Sequence, residues 1–328
     1  MFSIIIPLYN KAPYIEKAIR SVLVQSFQEF ELIVIDDGST DDSLDKLRVL
    51  SSELREINSE FIKKLRILEQ KNQGVSVTRN NGVKLAKYDL IAFLDADDWW
   101  DANYLLEMNS LITKYPEAAI YASSYYKVKN SKMIPAQIGV ENGFTEGYIN
   151  YFKAYSKSLW MPVTSITATL RKSVFEEMNG FSPQLKLGED FDLWARVAIK
   201  YPVAFLNKPL AYYNQDVDQN NRGVVDFKIY EPNTHFIFNM DYLSVEENQN
   251  PDLKNLLDRL RVYTLLRYRI QNAYIREVNC EIAKVDFSKQ SFKALLQFKL
   301  PIFFIMIFYQ TKDKIIKLIK TLINEKNH

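Results

Sequence analysis

The chain has 328 residues, 47% hydrophobic and 25% charged, which is enough apolar material for a sizeable core. Its formal net charge of +2 provides no global field to gather nucleic acid. The single cysteine, Cys280, excludes an intrachain disulfide, and two histidines, one of them His328, leave little for a histidine zinc site or a Ser-His-Asp triad.

The length fits one large α/β domain with an appendage, or two domains. A lone cysteine suits a reducing compartment. Met1 to Pro7 carries no basic n-region and no cleavage signature, so a signal peptide is not expected and a cytoplasmic location is.

The first strand runs from Phe2 to Leu8 and is followed by Tyr9-Asn10-Lys11. Ile15, Ala18, Ile19, Val22 and Leu23 then recur at helical spacing within Tyr14 to Val24. A second strand, Glu31 to Ile35, ends in Asp36-Asp37-Gly38-Ser39-Thr40-Asp41-Asp42, where Ser39 or Thr40 can cap a helix starting near Asp42. Leu65 to Glu69 is a third strand, and Lys71-Asn72-Gln73-Gly74 turns into a helix from Val75 to Lys87. Tyr88 to Leu94 is the fourth.

Further along, a helix (Tyr104 to Lys114) and a strand (Ala118 to Tyr126) precede an irregular polar stretch from Lys127 to Gly147. A short helix (Tyr148 to Leu159), a β-branched strand (Thr164 to Leu170), a turn at Gly180-Phe181-Ser182-Pro183 and a helix (Phe191 to Lys200) follow. Short strands at Val203 to Leu206 and near Ala211 to Tyr213 end this part, and from about Phe227 the pattern is helical.

Strands alternating with helices at this pace predict a parallel sheet with right-handed crossovers, whose ligands lie beyond the carboxyl ends of the strands. Three of the first four strands deliver polar residues there: Tyr9-Asn10, Asp36-Asp37 and Asp95-Ala96-Asp97. Phe93-Leu94-Asp95-Ala96-Asp97-Asp98 is the most informative of these. Three carboxylates within four positions, where a buried strand ends, need a polar crevice or a cation. Hard oxygen ligands so crowded suit Mg²⁺ or Mn²⁺, with water and substrate phosphates completing the shell. An acidic turn in which Asp98 or Asp101 caps the next helix is the competing reading. Pro7-Leu8-Tyr9-Asn10-Lys11-Ala12 has no glycine after strand one, which excludes dinucleotide binding of the Gly-x-Gly-x-x-Gly kind.

Taken together, Ile-Ile-Ile-Pro-Leu-Tyr-Asn (4–10), Val-Ile-Asp-Asp-Gly-Ser-Thr-Asp (34–41), Asn-Gln-Gly-Val-Ser-Val-Thr-Arg-Asn (72–80), Phe-Leu-Asp-Ala-Asp-Asp (93–98) and Gly-Glu-Asp-Phe-Asp-Leu-Trp (188–194) resemble the family 2 glycosyltransferases. The resemblance covers about residues 2 to 215. It implies an α/β GT-A fold with a mostly parallel sheet flanked by helices, here the catalytic domain 1–220, followed by a helical region 221–328. It also implies an inverting enzyme that uses a nucleotide-sugar donor, of the UDP class, and a divalent metal.

Carried over position by position, the resemblance implies donor contacts from Pro7, Tyr9, Asn10, Asp37, Asn72, Arg79 and Asp95. An aromatic ring suits the base and an acceptor-only carboxylate a uracil N–H, which Asp36 or Asp41 could serve as well as Asp37. A guanidinium fork suits phosphate oxygens, though Arg79 can equally be a solvated helix residue. Asp97, with Asp95, matches the metal ligands, and Asp190 matches the base, with Glu189 its partner or an acceptor contact. Two acids at a helix start also complement the helix dipole, which is the plainer reading. A catalytically silent nucleotide-sugar-binding protein is the alternative function, and a nucleotidyltransferase is disfavoured by the absence of a glycine- and basic-rich loop after strand one. Where many family members carry a basic residue after the last core strand, this chain has Tyr212-Tyr213-Asn214-Gln215, leaving that charge to Arg222, Lys208, or the metal and Arg79.

The C-terminal region lies outside the resemblance. Leu300 to Tyr309 is an apolar run of ten residues, half of what a spanning helix needs. Ile315, Ile316, Ile319, Leu322 and Ile323 follow on one helical face, and six lysines against Asp313 and Glu325 give 299–328 a local net of +4. That composition fits a helix lying on an anionic membrane surface, or one docked on the core or a second subunit. The expected partners are therefore a nucleotide-sugar donor, a glycan or lipid-linked saccharide acceptor and, through this helix, the cytoplasmic face of a membrane.

Overall fold

The apolar run at the start of the chain forms β1 (Phe2–Leu8), paired in parallel with β2 (Phe30–Asp36) from Phe2 opposite Phe30 to Leu8 opposite Asp36. Both strands are buried on both faces, which explains why they read as continuous apolar runs rather than alternating ones. The structure, a computed structural model, describes residues 1–57, 59–218 and 228–305. Between the two strands, α1 (Ile15–Leu23) puts Ile15, Ala18, Ile19 and Val22 into the same apolar cluster as Ile4, Ile6, Leu32 and Val34. Each fully buried aliphatic side chain there contributes about 1.5–3 kcal/mol.

The chain continues through α2 (Ser43–Ile57), α3 (Ser59–Lys64), β3 (Leu65–Glu69) and α4 (Val75–Leu85) to β4 (Leu90–Phe93). β3 adds to β2, whereas β4 adds to the other side of β1, giving the order β3-β2-β1-β4, all parallel. The direction of growth therefore reverses at β1. The crevice beyond the carboxyl ends of β2, β1 and β4 is where such a sheet binds its ligand.

Next come β5 (Trp99–Trp100), α5 (Tyr104–Lys114), β6 (Ile120–Lys129), β7 (Lys132–Pro135), β8 (Glu146–Ile149), α6 (Tyr151–Ser158), β9 (Ala168–Arg171), α7 (Lys172–Glu177), α8 (Glu189–Lys200) and β10 (Val203–Asn214). These strands extend the same sheet as β4-β9-β6-β10-β5. β9 is antiparallel to both β4 and β6, while β6 and β10 are parallel. The parallel expectation thus holds for the first four strands, and the sheet is mixed beyond them.

Three local differences from the sequence reading have identifiable causes. The stretch read as irregular contains β7 and the start of β8. Asn130 and Ser131 turn the β6–β7 hairpin with φ of 49° and 59°, a two-residue turn of the type usually marked by Asn-Gly. The strand expected from Thr164 begins at Ala168, because Thr164 and Thr167 cap each other across a 3₁₀ turn (Ser165–Thr167). The two short strands expected at Val203 to Leu206 and Ala211 to Tyr213 are one strand, β10, whose register slips around Pro209, a residue with no N–H to donate.

The chain divides into two compact units, Met1–Asp226 with Asn233–Phe236, and Phe227–Pro232 with Ile237–His328. In the second, Asn250 caps α10 (Pro251–Ile270), which follows α9 (Ser244–Gln249) and precedes α11 (Ile275–Ala283) and α12 (Phe292–Lys299). Arg261 is buried at its centre, bidentate to Glu247 at 2.5 and 2.9 Å and bonded to Glu281 at 3.2 Å. The pairing fixes α9 and α11 against α10. No helix of the described residues is long and apolar enough to cross a membrane. The apolar run from Leu300 is described as far as Ile305, and the lysine-flanked face from Ile315 lies outside the described residues.

Candidate active site

Beyond β1 the backbone turns at Asn10, whose φ is 51°. The turn is fixed by the loop after β2. Asn10 N donates to Ser39 Oγ, Lys11 N to Ser43 Oγ at 2.7 Å and Ala12 N to Asp41 Oδ2, while Asn10 Oδ1 accepts from Thr40 N at 2.8 Å. Asp41, rather than Ser39 or Thr40, receives Ser43 N at the start of α2. Asn10 therefore shapes this corner through its own loop contacts, and Tyr9 beside it is 44% exposed, with a ring open to a ligand. Pro7 lies one strand register earlier, opposite Ile35.

Asp37 is buried, and its carboxylate accepts from Gln70 Nε2 (2.7 Å), Gln73 N (2.9 Å) and Gly74 N (2.8 Å). Three donors of its own chain leave one of roughly four lone-pair sites for a ligand. Its neighbour Asp36 accepts from Ser39 N through Oδ2, and its Oδ1 is buried with no hydrogen-bond partner. Asn72 is exposed on the loop that Asp37 organises. That loop passes so close to Gly38 (φ +70°) that a Cβ there would stand 2.9 Å from Asn72 N, so only glycine fits.

Arg79, one turn into α4, is 3% exposed. Its Nη2 meets Asp95 Oδ1 at 2.6 Å and its Nη1 meets Glu189 Oε1 at 3.0 Å. Burial works against the charge, but the carboxylates of Asp95, Glu189 and Asp190 outweigh it and hold the guanidinium firmly protonated. Nε is buried without a partner. Both terminal nitrogens of Arg79 thus join the end of β4 to the start of α8, a task not expected for a residue read as facing a diphosphate.

The acidic stretch after β4 is differentiated by its surroundings. Asp97 pairs with Lys11 Nζ at 2.5 Å. Burial raises its pKa and Asp95 adds to the rise, against the opposing pull of Lys11. Asp98 is fully buried and accepts from Asn214 N at 2.7 Å. Burial, then the charges of Asp97 and Asp95, push its pKa well above the ordinary carboxylate value. Helix α5 begins after Asn103 without a side-chain cap, so Asp98 is no helix cap, and the Asp101 carboxylate accepts from Asn103 N. Among the described residues, no group of three acidic, histidine or cysteine side chains converges as a metal cage. Two carboxylates at one strand end remain, a donor set that suits Mg²⁺ or Mn²⁺ when substrate phosphates supply the other oxygens.

Helix α8 brings Glu189 and Asp190 to the same place. It starts from Gly188 at φ +81°, where a Cβ would stand 2.1 Å from the Phe236 ring. Asp190 is half-buried and accepts from Phe191 N at 2.7 Å. Burial, then repulsion from Glu189, push its pKa up to about 7, with the Phe191 N–H and Arg79 pulling the other way. Tyr125 and Tyr151 are near enough for the Asp190 charge to raise their own pKa values, after the larger effect of burial. The Tyr151 hydroxyl is buried without a partner.

Sequence reasoning missed Lys11, Tyr125 and Tyr151, as well as an aromatic row at this edge. Trp99, Tyr212 and Tyr126 stack in sequence at 5.3 and 5.4 Å, and Lys17 Nζ covers Trp99 at 2.9 Å. The doubled aromatics Trp99-Trp100, Tyr125-Tyr126 and Tyr212-Tyr213 were its only sequence signal. Of the residues named as substitutes for a basic Asn214, Lys208 is occupied by Glu107 at 2.6 Å on the surface, and Arg222 lies outside the described residues.

Comparison with known proteins agrees with this layout. An uncharacterized glycosyltransferase of Rickettsia felis is 32% identical over 301 residues, covering 87% of this chain and 45% of that protein. The chain therefore spans less than half the length of that relative. Among solved structures, S. aureus TarS 1–349 in complex with UDP-GlcNAc superposes with a TM-score of 0.69 at 20% identity, over 88% of this chain and 82% of that one. The mannosyltransferase PcManGT of Pyrobaculum calidifontis, in complex with GDP-Man and Mn²⁺, gives 0.51 at 17% identity, over 93% of this chain and 83% of that one. Both likenesses are of fold. The family model described as glycosyl transferase family 2 matches residues 3–178, more than half of the chain and four of the five motifs whose ends meet in the crevice; by that match the chain belongs to glycosyl transferase family 2.

Proposed function

We propose that the chain transfers a sugar from a UDP-sugar to a hydroxyl of a glycan or lipid-linked acceptor, with inversion at the anomeric carbon. The observation that carries this reading is Asp190. It is a half-buried carboxyl with a pKa pushed to about 7, next in the chain to Glu189, which Arg79 joins to Asp95 after β4. A base of that pKa is matched to neutral pH. The acceptor oxygen attacks the anomeric carbon as its proton passes to Asp190, and the electron pair of the breaking C–O bond leaves with the nucleoside diphosphate. A single displacement of this kind inverts the configuration.

Asp97 is assigned to the divalent ion, with Asp95 beside it. Bound there, Mg²⁺ or Mn²⁺ would neutralise the diphosphate and stabilise it as it departs. Tyr9, Asn10, Pro7, Asp37 and Asn72 frame the nucleoside end, with Tyr9 the side chain open to a base and Asp37 the organiser of the loop opposite. Arg79 is assigned to positioning Asp95 and Glu189. The UDP-GlcNAc and GDP-Man complexes of the two structural neighbours support a nucleotide-sugar donor. For the acceptor side, Phe292, Phe303 and Phe304 are exposed next to Lys293 and Lys299, which favours contact with an anionic membrane that presents a lipid-linked saccharide.

The test is hydrolysis of UDP-GlcNAc and UDP-glucose with Mn²⁺, without an acceptor. Turnover that is lost in Asp97→Asn and falls at least about a hundredfold in Asp190→Asn supports the assignment. Donor binding with no turnover in wild type would favour a silent nucleotide-sugar-binding protein.

A further inference from the structure

Lys11 had no role in the sequence reading, yet it stands against Asp97 in the acidic crevice. Its backbone is fixed by the loop after β2, through Lys11 N to Ser43 Oγ at 2.7 Å and Ala12 N to Asp41 Oδ2 at 3.2 Å. The left-handed turn at Asn10 aims the side chain across the mouth of β1 toward the end of β4. There Nζ meets Asp97 Oδ2 at 2.5 Å, joining residues 86 positions apart. Lysine and aspartate side chains retain only 13% and 19% of their exposure. A surface ion pair between two long, mobile side chains contributes little. This one has a short acid, a backbone-fixed base and little water.

Asp97 is also the carboxylate assigned to the metal, and a cation already sits on it. A metal reaching Oδ2 must displace the amine, because an ammonium and a divalent ion cannot share one oxygen at bonding distance without strong repulsion. We propose that Lys11 is a tethered counter-cation for Asp97 that competes with the divalent metal and sets its affinity. The proposal rests on the assignment of the metal to Asp97. It makes Lys11 a positioning residue. It holds the carboxylate in place beside Asp95 and Asp98 while no metal is bound, and it weakens metal binding in exchange.

The chemistry separates Lys11 from the other cation in the crevice. Arg79 is held by two carboxylates on two different elements, at 2.6 and 3.0 Å, and its release would part β4 from α8. Lys11 Nζ sits on Asp97 Oδ2 itself, so its ion pair is the contact that a metal on that oxygen would displace. Metal loading is thus expected to act on Lys11 and leave Arg79 where it is.

The experiment is Mn²⁺ binding to the full chain at pH 7.5, without nucleotide, by electron paramagnetic resonance of the free ion. Wild type, Lys11→Met and Lys11→Arg are compared. Lys11→Met keeps the length of the side chain and loses its charge; it is expected to bind Mn²⁺ at least about tenfold more tightly than wild type, the equivalent of about 1.4 kcal/mol. Lys11→Arg keeps the charge and is expected to bind like wild type. Equal affinity in wild type and Lys11→Met overturns the proposal while leaving the metal at Asp97. An Arg variant that behaves like the Met variant overturns it too, since packing rather than charge would then be at work. If no variant binds Mn²⁺, with or without UDP, the metal assignment itself fails and the proposal falls with it.

Discussion

Replacing Asp190 by Asn should stabilise the protein above neutral pH while removing its chemistry. The side chain keeps its size and loses only the charge. Asp190 has a folded pKa of about 7 against 3.8 in an exposed chain, raised by burial and then by Glu189. Moving a carboxyl that far corresponds to about 4 kcal/mol at full burial. Solvent reaches this half-buried group, so about 2 kcal/mol is the expected figure.

The sign follows from proton binding. With its pKa raised on folding, the carboxyl favours the native state below about pH 4 relative to high pH, and that contribution is lost as pH rises through about 7. The native state therefore carries an unfavourable buried charge at pH 8 that Asn does not have. Thermal melts of wild type and Asp190→Asn should coincide within about 1 kcal/mol at pH 5. At pH 8 the variant should melt higher, by about 2–4 °C per kcal/mol for a unit of this size. The same titration predicts that wild-type turnover rises with pH through about 7 and then levels, since the base must be deprotonated. A variant destabilised equally at both pH values would refute the reasoning, because the carboxylate would then be making favourable contacts.

Other outcomes follow from the same geometry. Arg79→Met should destabilise by about 1.5–3 kcal/mol in chemical denaturation, because it removes a buried guanidinium from two part-buried carboxylates, Asp95 and Glu189; a loss under about 1 kcal/mol would mean the bridge is incidental. Gly188→Ala should cost at least about 1 kcal/mol of strain, and more if the Phe236 ring 2.1 Å from the added Cβ cannot move away; a wild-type melting curve would contradict the close approach. Phe303→Ser with Phe304→Ser, at positions 64% and 57% exposed, should weaken binding to anionic vesicles about tenfold and leave donor hydrolysis unchanged; undiminished pelleting would exclude these rings from a membrane contact.

Much of the fold was legible because its first half follows simple rules. β1, β2 and β3 are apolar runs bounded by turn residues, and α1 and α5 carry apolar residues at helical spacing, so their limits fell within a residue or two of those observed. The second half was harder to read. An Asn-Ser hairpin lacks the usual glycine, and a strand that slips register at Pro209 looks like two. The site was legible wherever residue type fixes chemistry, as in the carboxylates after β4 and at α8. It was illegible wherever partners are distant in sequence. Nothing in the spacing of α4 tells that Arg79 meets a residue 110 positions later, and nothing after β1 tells that Lys11 meets Asp97. Asp36 and Asp37 are equivalent on paper. Only the loop after β3, in which Gln70, Gln73 and Gly74 donate three hydrogen bonds to Asp37, tells them apart.

Time-resolved proton NMR of UDP-GlcNAc hydrolysis with Mn²⁺ tests the central claim most directly, since water can replace an unidentified acceptor at the reacting carbon. With Asp190 as base and a single displacement, the first N-acetylglucosamine released should have the anomeric configuration opposite to the donor, before solution mutarotation mixes the two. The signal should vanish in Asp190→Asn. First-formed sugar with the donor's own configuration, or release unaffected by Asp190→Asn, would contradict the account.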